Sequence, residues 1–440
     1  MDGTTGTAGS GLRGTATGRE FVALVACCMA MAALAIDVML PAFPHMREEF
    51  GLEPGSTEVS RVITAFFIGL AVGQLFYGPL SDRFGRKRLL YSGIALYTAA
   101  ALAATQMSTL DGFVACRFVW GLGAAAPRSL ALAMVRDTHE GERMARTVSH
   151  VMAVFILVPV FAPGAGSLLL ELAEWRIVLW LPIALAAVMA IWAMRLPETL
   201  PPERRRSVSP AALGEAFVAV VKNRQTLAFG VAATFLFGIM TSYIGSSEII
   251  VDEVFGQGDH FSLIFGVVAC MFGVGSLLSA RFVMQLGLDR LVRLVAVYIV
   301  TAASVLMVVV VTTDGRPPMW LFGIVLMAML PGVTALVPNC NTAAMAPLGH
   351  VAGMASAVLG TISTAGGAVL GNQIDGAFDG TVRPFATGAL AYGAVAAGLI
   401  LFVARPSRRL SGADAALAAN MAVSVGDVGG PGEPVFEEHA

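Results

Sequence analysis

Charge is scarce in this chain. Of its 440 residues 13% are Asp, Glu, Lys or Arg and 56% are hydrophobic, with a mean hydropathy of +0.76. A soluble domain carries about 25% charged residues, so the groups that keep a water-exposed surface wet are missing here. Lysine is nearly absent: Lys87 and Lys222 are the only two among 28 cationic residues. The five cysteines (Cys27, Cys28, Cys116, Cys270 and Cys340) fall in apolar runs without metal-ligand spacing, which reads as small buried hydrophobes and no metal site. No G-x-x-x-x-G-K-[ST] loop occurs, so ATP is not the energy source. No H-E-x-x-H and no G-x-S-x-G elbow occur either, and no enzyme activity, cofactor or nucleic-acid partner is expected. Nothing resembles the filter of a passive channel.

Long apolar runs are what the chain has instead. About 20 apolar residues at 1.5 Å rise cross a bilayer. Hydropathy, with Gly, Pro and charge clusters as punctuation, predicts twelve spans, at 21–43, 59–80, 89–107, 110–135, 144–170, 175–196, 224–250, 261–284, 291–312, 317–337, 351–374 and 384–404. The first is too long for a cleaved signal and more spans follow it. The fold class is therefore all-α: a polytopic membrane protein with twelve transmembrane helices in two pseudo-symmetric six-helix bundles, at 20–196 and 224–404. Between them, at 197–223, lies the proline-rich, basic, amphipathic "RLPETLPPERRRSVSPAALGEAFVAVVKNRQ", expected as a linker at the membrane surface. Residues 1–19 and 405–440 are Gly/Ala/polar-rich and expected to be disordered tails.

Cation placement sets the expected orientation. With the N-terminus inside, only Arg47, Arg61, Arg176, Arg316 and Arg383 fall outside, Arg117 and Arg128 fall within a span, and the rest of the 28 lie inside. Both termini are then cytoplasmic, in a bacterial inner (plasma) membrane.

The densest charge cluster is "GPLSDRFGRKRLL", Gly78 to Leu90, between the second and third spans. Positive-inside topology explains its cations but not Asp82 or the order of the residues. A worn counterpart, "QLGLDRLV" at 285–292, follows the eighth span, as an internal repeat requires. Gly78, Asp82, Arg83, Gly85, Arg86 and Lys87 resemble the signature loop of the major facilitator superfamily. By that resemblance the loop is a cytoplasmic gate: Asp82 sits near the positive N-terminal end of the eleventh helix, and Arg86 pairs with Asp137. "RFVWGLGAAAP" (117–127), "VPVFAPGAG" (158–166), "RLPETLPPERR", "GMASAVLG" (353–360) and "IDVMLPAFP" complete the likeness. Together they resemble the Bcr/CflA branch, proton-linked drug exporters that include chloramphenicol-type efflux pumps. In helix 5, Pro159, Pro163 and Gly166 match the antiporter motif of the superfamily, without its leading glycine. The likeness runs from about residue 20 to 404.

An ionisable residue inside a span is a functional candidate. Asp37 lies roughly 10 Å from one end of its span, and Arg117 reaches the same depth in the fourth. The resemblance puts both helices against a central cavity, so an Asp37–Arg117 pair, or near-pair, is expected there, with Asp37 carrying the proton and Arg117 tuning it. Burial favours the neutral acid and a nearby cation favours the anion. The alternative is a pair that only fixes packing. Arg128 follows Arg117 by three turns on the same helix face, about 16 Å away. It either contacts an anionic or carbonyl-rich substrate or snorkels to a cytoplasmic partner.

Gln74, Phe155, Phe237 and Tyr243 complete the substrate-cavity candidates, with Thr241, Asn339 and Asn341 read as helix contacts. Glu248 is expected in the outer vestibule, His150 as structural, and the Gly353, Gly360, Gly367, Gly371 series as a surface for close helix approach. The function expected is proton-coupled efflux of small, largely apolar, drug-like compounds (amphenicol-type, for example) by alternating access. The alternative is a carrier of a small organic anion, with Arg117 and Arg128 as the anion clamp. The partners expected are a small-molecule substrate, protons and the lipid bilayer, with the protein a monomer.

Overall fold

The computed structural model describes residues 18–205 and 210–404, so residues 405–440 and all but the last two of 1–19 lie outside the described residues. Twelve long helices run alternately up and down: α1 Gly18–Asp37, α2 Arg61–Phe84, α3 Arg86–Ala104, α4 Leu110–Thr138, α5 Gly141–Leu170, α6 Ile177–Trp192, α7 Arg224–Ile249, α8 Phe261–Leu286, α9 Leu288–Thr312, α10 Met319–Met345, α11 Ala352–Asp375 and α12 Arg383–Gly398. Eleven of them lie in stretches long and apolar enough to cross a membrane. The remaining one, α3, opens on Arg86, Lys87 and Arg88, which dilute its hydropathy. Its 19 residues still reach about 28 Å. Each predicted span falls on one of these helices. Gly18 marks what we call the near face, and Phe43, beyond α1, marks the far face.

The α1–α6 set holds together through α2–α4, α3–α4 and α1–α5; the α7–α12 set holds together through α7–α11, α7–α10, α9–α10 and α9–α12. Two seams join the sets, α2 against α11 and α5 against α8. Part of the stretch between α6 and α7 is a short helix, Pro210–Lys222, laid against α11 and α7. It buries Ala216 and Val220 and leaves Phe217, Val218 and Val221 exposed, as an amphipathic helix at a membrane surface would.

Lipid is as apolar as leucine, so burial of apolar surface does not drive these helices together; close backbone approach does. A Cβ on Gly69 of α2 would sit 1.9 Å from the Phe118 carbonyl oxygen of α4, and one on Gly121 of α4 2.0 Å from the Phe66 oxygen of α2. The internal repeat is visible in the backbone. Gly85 (φ +95°, ψ 153°) opens α3 and Gly287 (φ +76°, ψ 158°) opens α9, a conformation that glycine tolerates best. "RFGRKRLL" and "QLGLDRLV" therefore make the same turn at matching places.

The α2–α4 contact generates a test. Gly121→Ala forces these backbones apart, an overpacking cost of about 1–3 kcal/mol or more, and most of the monodisperse protein should vanish on size-exclusion chromatography. Gly164→Ala, where nothing lies within 4 Å of the added carbon, should leave the yield unchanged.

Candidate functional site

Helix α1 ends at Asp37 because Pro41 and Pro44 follow, and proline supplies no amide donor. The chain tightens: the Met39 amide donates to the Ile36 carbonyl at 3.4 Å, so the Ala35 carbonyl gets no helical partner from it. Arg117 of α4 fills the gap. Its Nη1 donates to the Ala35 oxygen at 3.1 Å and its Nε to the Val62 oxygen of α2 at 3.4 Å. The guanidinium also lies 4.4 Å from the Phe66 ring centroid and 4.8 Å from that of Trp120. Arg117 is fully buried, and its Nη2 has no hydrogen-bond partner.

This corrects the expected pairing. Asp37 is buried at 4% exposure, yet no ion pair joins it to Arg117 among the described residues. The cation is taken up by the two carbonyls and two rings that the break in α1 and the α2–α4 contact bring to it. Asp37 instead faces the second set, with the Tyr243 hydroxyl of α7 within electrostatic reach. An acid without a cation stands at the boundary of the two sets.

The short helix Phe43–Glu49 beyond the break carries Arg47 over to α7. Arg47 Nη1 donates to Glu248 Oε1 at 3.2 Å, and Nη2 bonds Oε2. Both side chains are nearly covered, at 8% and 3% exposure. Arg47 Nε also donates to the Ser56 carbonyl at 2.9 Å. Glu248 was expected in an open vestibule; it is buried instead, because Arg47 folds over it. Nearby, Ser167 of α5 and Ser262 of α8 share a hydrogen bond of 2.6 Å, and Thr64 of α2 donates to Asn372 of α11 at 3.3 Å. The far face is thus closed between the sets.

The antiporter-like stretch of α5 forms part of this closure. A Cβ on Gly166 would lie 2.2 Å from the Val38 carbonyl, so only glycine lets the tail of α1 pass. The Pro163 carbonyl accepts from Ser262 at 3.0 Å, and Pro159 lies one turn further in.

At the near face Arg86 organises the charged turn. It reaches Asp82 at 2.7 Å and Asp137 at 2.9 Å, and also bonds Ser81. The expected Arg86–Asp137 pair is therefore present. Asp82 is half exposed and spends its bond on Arg86, with no partner from α11 among the described residues. Glu198, from "RLPETLPP", was missed as a partner. It accepts the Arg86 amide at 2.8 Å and the Lys87 amide at 3.2 Å, capping the positive start of α3. A Cβ on Gly85 would sit 2.5 Å from this carboxylate; Gly78 has open space, and Arg83 is exposed.

The cavity candidates scatter. Phe237 meets Phe67 across the sets, edge to face at 5.4 Å, and Gln74 approaches Gly360. Phe155 is half-buried on α5. Tyr243 stacks on Phe265 at 5.5 Å and lines an apolar pocket with a cavity volume of about 40 Å³ at the far end of the second set, with Phe255, Phe261, Phe322 and Phe385. Arg128 is half-buried and has no hydrogen bond or ion pair among the described residues. His150 is exposed and bonds the Arg146 carbonyl. Gly367 and Gly371 meet Phe237 and Thr241 of α7. Asn339 bonds Ser279 of α8 at 2.6 Å. Both findings match the contact roles expected of them. Arg47 and a third buried acid, Asp375, were missed: the first reads as an outer cation, the second as the residue just past a predicted span.

Comparison with known proteins agrees with this architecture. The family model described as Major Facilitator Superfamily matches residues 25–371. The bicyclomycin resistance protein homolog of Haemophilus influenzae is 27% identical over 344 residues, covering 77% of this chain and 84% of that protein. The multidrug resistance protein MdtL of Escherichia coli is 26% identical over 336 residues, covering 75% and 82%. Among solved structures, a D-xylose–proton symporter superposes with a TM-score of 0.70 at 14% identity, covering 88% of this chain and 98% of that one. That last likeness is one of fold.

The Arg47–Glu248 pair can be measured. Breaking a buried pair by removing one partner costs about 3–5 kcal/mol. Arg47→Ala and Glu248→Ala should each lower the thermal midpoint of the purified protein, and the double variant should fall no further than the worse single one.

Proposed function

The chain belongs to the major facilitator superfamily, and on that premise we propose that it is a proton-coupled exporter of small, largely apolar, drug-like compounds. The near face is cytoplasmic in this reading, as the cation distribution favours, and the membrane is a bacterial plasma membrane. Relatives named for bicyclomycin and multidrug resistance support the substrate class. Apolar and aromatic walls with few polar groups suit such compounds, and the pocket beside Tyr243 has that character.

One observation carries the coupling: Asp37 is a buried acid with no cation, placed where α1 breaks and faces α7. In this arrangement the neutral form is cheap while the site is dry, and the anion becomes cheap once water enters or a cation approaches. The Nη2 of Arg117, whose Nη1 is held on the carbonyl two residues before Asp37, is a free donor to receive it. Alternating access follows if the sets 20–196 and 224–404 tilt about their two seams, opening one face as the other closes. The charged turn around Arg86 then serves as the cytoplasmic gate, and Arg47–Glu248 as its counterpart outside.

Arg117 does not fit the anion-carrier alternative, since its donors serve backbone carbonyls. Arg128 has no hydrogen bond or ion pair among the described residues, so in this reading it contacts carbonyl or anionic groups of a substrate on its way to the far face.

In proteoliposomes with an imposed pH gradient, Asp37→Asn should abolish gradient-driven drug accumulation while leaving drug–drug exchange measurable. Accumulation equal to that of the unaltered protein would overturn the proton assignment. Arg128→Ala should reduce transport of anionic substrates at least fivefold more than that of cationic ones, on the order of the 1 kcal/mol that one charge-assisted hydrogen bond contributes. Equal losses for both would return Arg128 to a structural role.

A further inference from the structure

Asp375, the last residue of α11, is, with Asp37 and Glu248, the third acid buried in the far half of the molecule, at 3% exposure. Ser242 Oγ of α7 donates to its Oδ1 at 2.8 Å, the Ser246 hydroxyl (α7), which donates to the Ser242 carbonyl at 2.7 Å, lies within electrostatic reach, and so does that of Ser60. Ser60 stands at the start of α2, in the other set. Gly245 makes the room: a Cβ there would sit 2.4 Å from Asp375 Oδ2 and 3.3 Å from the Ser60 Cβ. One carboxyl group is therefore bonded within its own set and covered by Ser60 of the other, at the face that is closed.

No cation answers it among the described residues. Arg47 is taken by Glu248, Arg61 by Asp111 at 2.9 Å, Arg176 by Glu49, and Arg383 by Asp314 at 3.3 Å. Arg316 donates to the Gly380 carbonyl. From α12 only Tyr392 comes within electrostatic reach, and its hydroxyl donates to the Leu370 carbonyl at 3.2 Å. From α7 the next acid is Glu248, paired away. From the loop after α11, Asp379 accepts from Thr381 at 2.6 Å. The α2 side offers Ser60 and, one turn on, Thr64, which is bonded to Asn372.

We propose that Asp375 is a second proton-binding site, which locks the far face when protonated and unlocks it when ionised. The physical argument is a difference between two states. Closed, the carboxyl group has hydroxyl partners but neither water nor a cation, and an uncompensated buried charge is disfavoured there. Open, Ser60 withdraws with the first set and water replaces it, so the anion is stabilised. Proton binding and closure therefore favour each other, and by linkage a proton taken from the far side drives the face shut behind it. This rests on the proposed exporter reading for its place in a cycle, but the lock itself needs only the geometry.

The test reads opening and not transport. Spin labels at Glu53 and Gln257, both exposed on the far face in different sets, report their separation by double electron–electron resonance in nanodiscs from pH 5 to pH 9. In the otherwise unaltered chain the open-to-closed ratio should rise with pH, by at most about tenfold per pH unit for one proton. Asp375→Asn, which keeps the shape and cannot ionise, should remain closed throughout, whereas Asp37→Asn should keep the rise. Loss of the rise in Asp37→Asn alone, or an unchanged rise in Asp375→Asn, overturns the proposal. Ser242→Ala keeps the acid and removes one donor to its ionised form, so it should be more open than the unaltered chain at pH 9; equal or lesser opening also overturns it. Failure of the exporter reading would show instead as intact coupling in Asp37→Asn proteoliposomes, a separate result.

Discussion

A carbonyl without a donor is intolerable inside a bilayer, where no water can serve it. Helix α1 creates one when it breaks ahead of Pro41, and the rest of the first set is arranged around that fault. Arg117 must be buried to reach Ala35. Its guanidinium must be flanked by Phe66 and Trp120, and α2 must lie close enough on α4 for Val62 to offer a second carbonyl. The break also frees the tail of α1 to turn outward. It sends Val38 past Gly166 and carries Arg47 across to Glu248. Asp37 is left at the corner, an acid whose neighbouring cation is already committed.

The two seams differ in chemistry from the interior of either set. Within the first set, α2 and α4 touch through glycine and carbonyl groups, with little that could rearrange. Across the boundary of the sets, beside apolar contacts such as Phe67 with Phe237, lie hydroxyls, an amide and one ion pair: Ser167 with Ser262, Thr64 with Asn372, and Arg47 with Glu248. Such groups exchange a protein partner for water at small net cost, which suits surfaces that must part and rejoin.

The sequence made the helices easy to read because twenty apolar residues in a row have few other uses. The charged turn was legible too, through its resemblance to the superfamily's signature loop, which implies the Arg86–Asp137 pair. Glu198 was hidden in the linker, where a carboxylate beside two prolines reads as solvated. Arg117 reads as a partner for Asp37 because pattern reading matches charges with charges and cannot see the Ala35 carbonyl left free where α1 breaks ahead of Pro41. Glu248 and Asp375 escaped for a related reason. Their partners Arg47 and Ser60 lie in the other set, 201 positions away in the first case, and only the folded chain brings them together.

The Thr361 hydroxyl of α11 donates to the Ala71 carbonyl of α2 at 2.9 Å. Ala71 lies near the middle of α2, about ten residues from one end and thirteen from the other. A hydrogen bond at that height is a fulcrum. Tilting about it lengthens one end of the seam by what the other end loses, and itself moves little. Under the proposed tilting, the two faces of the protein are then arms of a single lever, and neither can swing wide without pressing the other shut.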